Sequence, residues 1–300
     1  MQVIPLAADS MGVRSMSTFV EAGRARILID PGAALAGIRY GLAPHPLEIW
    51  TLDKIRERIG LFAKSADTVV VTRYDHDHCF GDWPELFKGK KVLVKNPNLN
   101  VQPEWRKFAF VWLKQIRKFA SEIVFADGRI IETDDVSFSF SKPRSESAFG
   151  NIEDFLQMVV VENNESFFFS SGTRGYYPDE VVGFIVDRTA SGDLRHPPLL
   201  YLDGPSIYQD VKIKPKPALG SRLKGIKKLL TESESKHVIL DHHPLRDPGW
   251  RSKLESLFHF AQNRGIRMQT AAEFRGEEIL TLEARRNALY ENHPQTTGME

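Results

Sequence analysis

Apolar positions come in short bursts along the first third of the chain, and their spacing changes from one burst to the next. Ser17-Thr18-Phe19-Val20 and Ala25-Arg26-Ile27-Leu28-Ile29 are brief runs separated by Glu21-Ala22-Gly23-Arg24, the pattern of a β-hairpin. The second run ends in Asp30-Pro31-Gly32, a strong strand stop. Between Pro46 and Ala63, the residues Leu52, Ile55, Ile59 and Phe62 recur at spacings of three, four and three, which predicts an amphipathic helix. Thr68-Val69-Val70-Val71-Thr72 is β-branched with no polar interruption, as expected of a strand buried on both faces.

A second amphipathic helix is predicted over 104–120, with Trp105, Phe108, Trp112, Ile116 and Phe119 on one face and most of the Lys and Arg elsewhere. Residues 123–170 read as a meander of strands that includes 136–140, 155–161 and 167–169. A helix near 178–187 follows, and then strands at 199–202, 237–241 and 267–270 alternate with helices. Alternating elements at both ends of a central meander predict two packed sheets with helices outside. There is no internal repeat and no long linker, so residues 1–300 are expected to form a single domain with surface termini and a frayed tail at 293–300.

Composition narrows the picture only slightly. The chain has 300 residues, of which 42% are hydrophobic and 26% charged, enough apolar material for a sizeable core. A formal charge of +1 gives no global case for nucleic acid or membrane as a partner. The one cysteine, Cys79, excludes an intrachain disulfide and a Cys-built zinc site, which fits a reducing cytoplasm. Neither a signal peptide nor an apolar run of membrane-spanning length is present, so a cytoplasmic location is expected.

The densest chemistry lies in Thr72-Arg73-Tyr74-Asp75-His76-Asp77-His78-Cys79, directly after the buried strand. Asp-rich turns have an ordinary explanation, since Asp favours turns and caps helices. So many metal- and proton-binding groups after a buried strand point instead to a site. A second pair, His242-His243, follows the apolar strand His237-Val238-Ile239-Leu240 and repeats that arrangement.

A Val-rich strand ending in Thr, followed by four positions spaced as His-x-His-x-Asp-His, resembles the signature of metallo-β-lactamase-fold hydrolases. Those positions are Arg73, Asp75, Asp77 and His78. More narrowly, the chain resembles a family of predicted metallo-hydrolases common in heat-loving archaea. The segments that carry this likeness are 3–7, 12–16, 28–32, 40–42, 202–205, 241–243 with 245–247, 271–274 and 282–286. The resemblance implies an α+β fold, a four-layer α-β-β-α sandwich. It also implies a metal site that activates water for attack on an ester, amide or phosphodiester. Carried over by position, Asp77, His78 and His242 or His243 are the expected ligands of one divalent ion, whether zinc, iron or manganese. Asp30 is expected to orient a ligand from behind.

The other half of the motif departs from the family pattern. Its two His positions hold Arg73 and Asp75, the later His position falls at Glu146 or a neighbour, and the bridging Asp position falls at Gly172, with Asp203 as a candidate replacement. Arg has no lone pair for a metal. At about 5 Å from a divalent ion it would be repelled by roughly 7 kcal/mol at an effective dielectric near 20. Arg73 is therefore expected to stand in the first metal's place and pair with Asp75 and Glu146. The competing arrangement turns His76 inward as a nitrogen ligand.

Two readings of function remain open. In the first, a mononuclear hydrolase acts on a small molecule or phosphodiester, with Asp77 and Arg73 as catalytic residues and Arg73 stabilising an anion. In the second, a pseudoenzyme has kept the fold for binding or regulation. The basic stretch 212–216, continuing to Arg222, Lys224, Lys227 and Lys228, makes phosphate contact conceivable, but a solvated loop and helix face is favoured.

Overall fold

The computed structural model describes residues 1–79, 81–133, 135–142, 155–190, 198–208 and 219–292. Glu146, the run 212–216 and the tail 293–300 lie outside them. Two mixed sheets carry the fold. The first has strand order β1 (Gln2–Pro5), β2 (Thr18–Ala22), β3 (Ala25–Ile29), β4 (Thr68–Val71), β5 (Lys91–Val94) and β6 (Glu122–Phe125). Helix α1 (Pro46–Ser65) links β3 to β4, and α2 (Pro103–Ile116) links β5 to β6.

In the second sheet the chain runs through β7 (Ile130–Glu132), β8 (Ser137–Phe140), β9 (Met158–Glu162), β10 (Glu165–Phe169), α3 (Asp179–Ala190), β11 (Leu199–Asp203), α4 (Leu219–Glu232) and β12 (His237–Asp241). It continues through α5 (Trp250–Lys253), α6 (Glu255–Asn263), β13 (Arg267–Gln269), α7 (Ala271–Arg275) and α8 (Arg286–Asn292), and β13 forms the sheet edge beside β12. The expected four-layer sandwich is what the chain adopts, and residue alternation explains why. Met158, Val160, Phe167, Phe169, Tyr201 and Ile239 belong to the core shared with the first sheet. Their neighbours Val159, Phe168, Leu200, Leu202, Val238 and Leu240 pack with Val182 and Ile185 of α3, Leu229 of α4 and Leu257 of α6. Successive side chains on a strand point to opposite faces, so apolar residues at every position require cover on both sides.

The second helix is shorter than its apolar stripe predicts. It ends at Ile116, whose carbonyl takes the N–H groups of both Phe119 and Ala120 in a closing turn. The strand at 2–5 and those at 91–94 and 122–125 carry weaker patterns, and pairing with neighbours organises them.

Pairing is parallel from β3 through β6 and from β10 through β13. Parallel strands deliver their C-terminal loops to one sheet edge, where α/β folds gather functional groups. The ends of β3, β4, β10, β11 and β12 are tied together there. Thr72 Oγ1 and Ser171 Oγ meet at 2.6 Å across the two sheets, and Gly204 N donates to Asp241 O.

Candidate metal centre

Three buried histidines stand in a row at that edge. The rings of His78 and His242 are 5.4 Å apart, and those of His242 and His243 are 4.4 Å apart. Behind each is a buried carboxylate. Asp30 Oδ2 lies 2.8 Å from His78 Nδ1, Asp9 Oδ2 lies 2.7 Å from His242 Nδ1, and both Asp203 oxygens lie 2.9 Å from His243 Nδ1. A carboxylate on Nδ1 fixes the tautomer and leaves the Nε2 lone pair as the donor, the usual arrangement behind a metal-bound imidazole.

The local backbone serves these positions at some conformational cost. Of the eight non-glycine residues at positive φ among the described residues, Asp30, Ser171, Arg174 and His242 all lie in these loops. Such conformations persist only where surrounding bonds over-determine them. Asp30 is fixed by Thr72, whose N–H and hydroxyl donate to its two oxygens at 2.7 and 2.6 Å. The N–H of His242 donates to Asp241 Oδ1, which also accepts from Ser10 N.

Two guanidinium groups enter the cluster. Arg73 pairs with Asp75 and donates to Gly172 O at 3.1 Å. A Cβ on Gly172 would lie 3.1 Å from His78 Nε2 and 3.3 Å from Arg73 Nη1, so position 172 faces the gap between them. Arg246 was not singled out from the sequence as a site residue. Its Nε donates to Asp9 and its Nη2 to Asp77, at 2.7 and 2.9 Å. Nη2 is also 3.2 and 3.3 Å from the two ring nitrogens of His242. Only a position over the ring face reaches both at such distances, so the Nε2 lone pair in the ring plane stays open.

His76 is exposed and packs edge-on against Trp105 and Phe108 of α2, away from the three histidines, so the inward-turned alternative has no support in this geometry. Asp203 lies behind His243 and accepts the N–H groups of Arg174 and His243. Arg222, counted with the surface charges from sequence, is buried and donates to the carbonyls of Arg174 and Ser206. Lys228 pairs with Asp179.

Burial shapes the charge states. It drives His242 and His243 well below the ordinary histidine range, and the nearby Arg246 cation adds to the effect, so both are neutral as ligation requires. Burial raises the Asp75 carboxyl, but Arg73, with His78 and His242, holds it well below its usual value. Burial also pushes Asp203 up to about 7. His78 behaves differently: burial lowers it, yet Asp75 and Asp30 outweigh that and bring it to about 9, so an ion binding at its Nε2 must displace a proton.

The His78 shift carries a stability sign. A folded pKa above the unfolded value of about 6.5 gives a stabilisation that is complete below that pH and lost as pH rises through the folded value. Protein stripped of metal is expected to lose stability between about pH 7 and about pH 9. His78→Asn should remove that dependence, as followed by chemical denaturation at several pH values. Parallel losses in both proteins would assign the effect elsewhere.

The donor set suits a divalent ion. Asp203, His242 and His243 can each offer a ligand atom within 4.8 Å of the others. Asp75 Oδ1 is buried without a hydrogen-bond partner and lies 3.9 Å from His78 Nε2, while Asp77 Oδ2 lies 3.9 Å from His242 Nε2. Tetrahedral bonds of about 2.1 Å separate ligand atoms by roughly 3.4 Å, so these atoms must draw together to hold an ion. His78, outside that group with its ring 5.4 Å from that of His242, must move in as well to join them. Imidazoles with carboxylates are the donors that zinc, iron and manganese take.

Comparison with known proteins supports the fold and the family. The backbone resembles CmlA, a diiron β-hydroxylase from Streptomyces venezuelae, with a TM-score of 0.53 and 11% identity, over 85% of this chain and 51% of that one. It also resembles Zn²⁺-bound PqqB from Methylobacterium extorquens, with a TM-score of 0.52 and 13% identity, over 90% and 98%. The architecture is that of the metallo-β-lactamase fold. No helix among the described residues is long and apolar enough to cross a membrane. No family model matches the chain. A UPF0282 protein of Korarchaeum cryptofilum is 33% identical over 296 residues, covering 98% of this chain and 96% of the relative. One from Metallosphaera sedula is 34% identical over 294 residues, covering 97% and 93%. With identity at that level along nearly the whole length of both sequences, the chain belongs to the UPF0282 family.

Proposed function

We propose that this protein is a metal-dependent hydrolase working from a single divalent ion, held by the Nε2 atoms of His78, His242 and His243. The observation that carries this reading is the three carboxylate-backed imidazoles, Asp30–His78, Asp9–His242 and Asp203–His243. Structural histidines rarely need a buried anion each, whereas ligands regularly have one. When bound, such an ion supplies Lewis acidity and lowers the pKa of water to near neutrality.

The chain's own residues supply the rest. Asp75, held ionised beside Arg73, and Asp77 lie 3.9 Å from the Nε2 atoms of His78 and His242 and can accept a proton from a nucleophilic water or help hold the ion. Arg73, fixed by Asp75 and Gly172 O, presents a cation against charge that develops on an ester or phosphodiester oxygen.

One observation favours a second reading, a protein that has kept the fold for binding or regulation. Asp77, a ligand position of the superfamily motif, is already held by Arg246 at 2.9 Å.

Elemental analysis of protein purified without chelators separates the two. The hydrolase reading expects about one equivalent of zinc, iron or manganese, lost in His78→Ala and His243→Ala. It further expects turnover of a generic ester or phosphodiester to fall roughly a hundredfold or more in Asp77→Ala. Absence of metal from both wild type and variants would leave the binding role.

A further inference from the structure

Nearly every cation around the cluster has a partner. Arg73 has Asp75, Arg246 has Asp9 and Asp77, Arg14 has Glu283 in a two-pronged contact, and Arg222 has two carbonyls. Arg174 is different. Its side chain is half-buried, and among the described residues its guanidinium makes neither a hydrogen bond nor an ion pair.

Its backbone, in contrast, is firmly held. The N–H of Arg174 donates to Asp203, the carboxylate behind His243, and its carbonyl accepts from Arg222 at 2.9 Å. The residue adopts φ +55° within a tight loop that also places Gly172 against His78 and Arg73. A left-handed conformation is unfavourable for Arg, so this position is better suited to glycine or asparagine on backbone grounds alone. Burial lowers the Arg174 pKa most, the like charges of Arg73 and Arg246 add to that, and Tyr208 and Asp203 oppose it. A half-buried guanidinium whose charge burial disfavours, and whose nearest carboxylate, Asp203, is already engaged with His243 and two backbone N–H groups, is stabilised by a further anion.

We propose that Arg174 anchors the anionic group of the substrate, an oxyanion of single negative charge such as a carboxylate or a phosphodiester. The proposal rests on the hydrolase reading for the word substrate, but anion binding itself does not. One unpaired guanidinium offers two parallel N–H donors to two oxygens, the geometry common to both groups. A single charge is implied because the neighbouring cations are already neutralised by Asp75, Asp9 and Asp77. The anchor lies beside the carboxylate that backs His243, so the bound group would be carried by the same molecule whose bond is cleaved at the histidines.

The test measures binding rather than turnover. Titration calorimetry and thermal melting would use acetate and dimethyl phosphate as probes at fixed ionic strength, with wild type, Arg174→Gln, Arg174→Lys and Arg174→Gly. Arg251→Gln, at an exposed arginine, is the control. At least one probe should bind wild type and raise its melting temperature by roughly 5 °C near saturation. Affinity should fall roughly tenfold or more in Arg174→Gln and Arg174→Gly, recover in part in Arg174→Lys, and remain unchanged in Arg251→Gln. Without probe, Arg174→Gly should melt at or above wild type, since glycine relaxes the backbone and no side-chain bond is lost. The better-bound probe identifies the group. Equal affinity in wild type and Arg174→Gln, no binding of either probe to wild type, or a marked drop in the melting temperature of Arg174→Gly would each overturn the proposal. Metal content measured on the same samples keeps the two readings apart, because anion binding by metal-free wild type would preserve the anchor while removing the hydrolase.

Discussion

An Arg286→Met protein is expected to lose about 3–5 kcal/mol of stability, enough to leave most of the chain unfolded under mild denaturant. The Arg286 side chain is fully buried and forms a two-pronged pair with Glu48, at 2.8 and 2.9 Å. It also donates to the carbonyls of Ala36, Gly37 and Leu42. Removing it leaves an unpaired buried carboxylate and three unsatisfied carbonyls, and methionine can replace only the packing. Glu48 closes the start of α1 through the N–H of His45, so its freed charge would also disturb the helix cap. The loop that Arg286 grips carries Arg39, which donates to Arg246 O at 2.7 Å. Denaturant melts of Arg286→Met and Arg286→Lys measure the effect. Both are expected to be weak folders, because lysine cannot reproduce the fork. Stability within about 1 kcal/mol of wild type in Arg286→Met would show that the pair contributes little net energy.

The second large effect concerns Arg246. Arg246→Gln is expected to lower the stability of metal-free protein by about 3–5 kcal/mol while tightening zinc binding roughly tenfold or more. Both effects follow from one cation. Its Nε and Nη2 neutralise Asp9 and Asp77, so its removal leaves one buried and one half-buried carboxylate facing His242 without their cation. Those anions then attract a divalent ion, and Asp77 becomes free to take part in holding it. Bound zinc should restore much of the lost stability by mass action. Melting curves with and without zinc, together with competition against a chelator of known affinity, read both quantities. If Arg246→Gln instead lost metal, Arg246 would be acting to position Asp77 and His242 rather than competing with the ion.

Both residues lie in segments, 245–247 and 282–286, that carry the family likeness, yet neither announced its role. An arginine within an ordinary polar stretch offers no local pattern that separates a surface charge from a buried one. Arg246 has its partners at Asp9 and Asp77, and Arg286 has its partner at Glu48. In each case the partner is more than a hundred residues away, so nothing near the arginine in the chain records it. Asp9 was missed for the same reason, being an acidic residue after a short strand.

The sequence alone determined the layers and most of the elements, though not the strands at 2–5 and 91–94. Repeats of two and of three to four positions are local consequences of strand and helix geometry, and doubly apolar strands demand cover on both faces. It also located the chemically dense turn after β4 and the His pair after β12, because both abut apolar strands. Only the tertiary structure decided which carboxylate stands behind which histidine, that His76 packs outward on α2, and that Arg246 reaches Asp77, whereas the pairing of Arg73 with Asp75 was already expected from the sequence. Such pairings are set by where the ends of two separate sheets meet, and the energy of a buried charge depends on partners that local sequence does not contain.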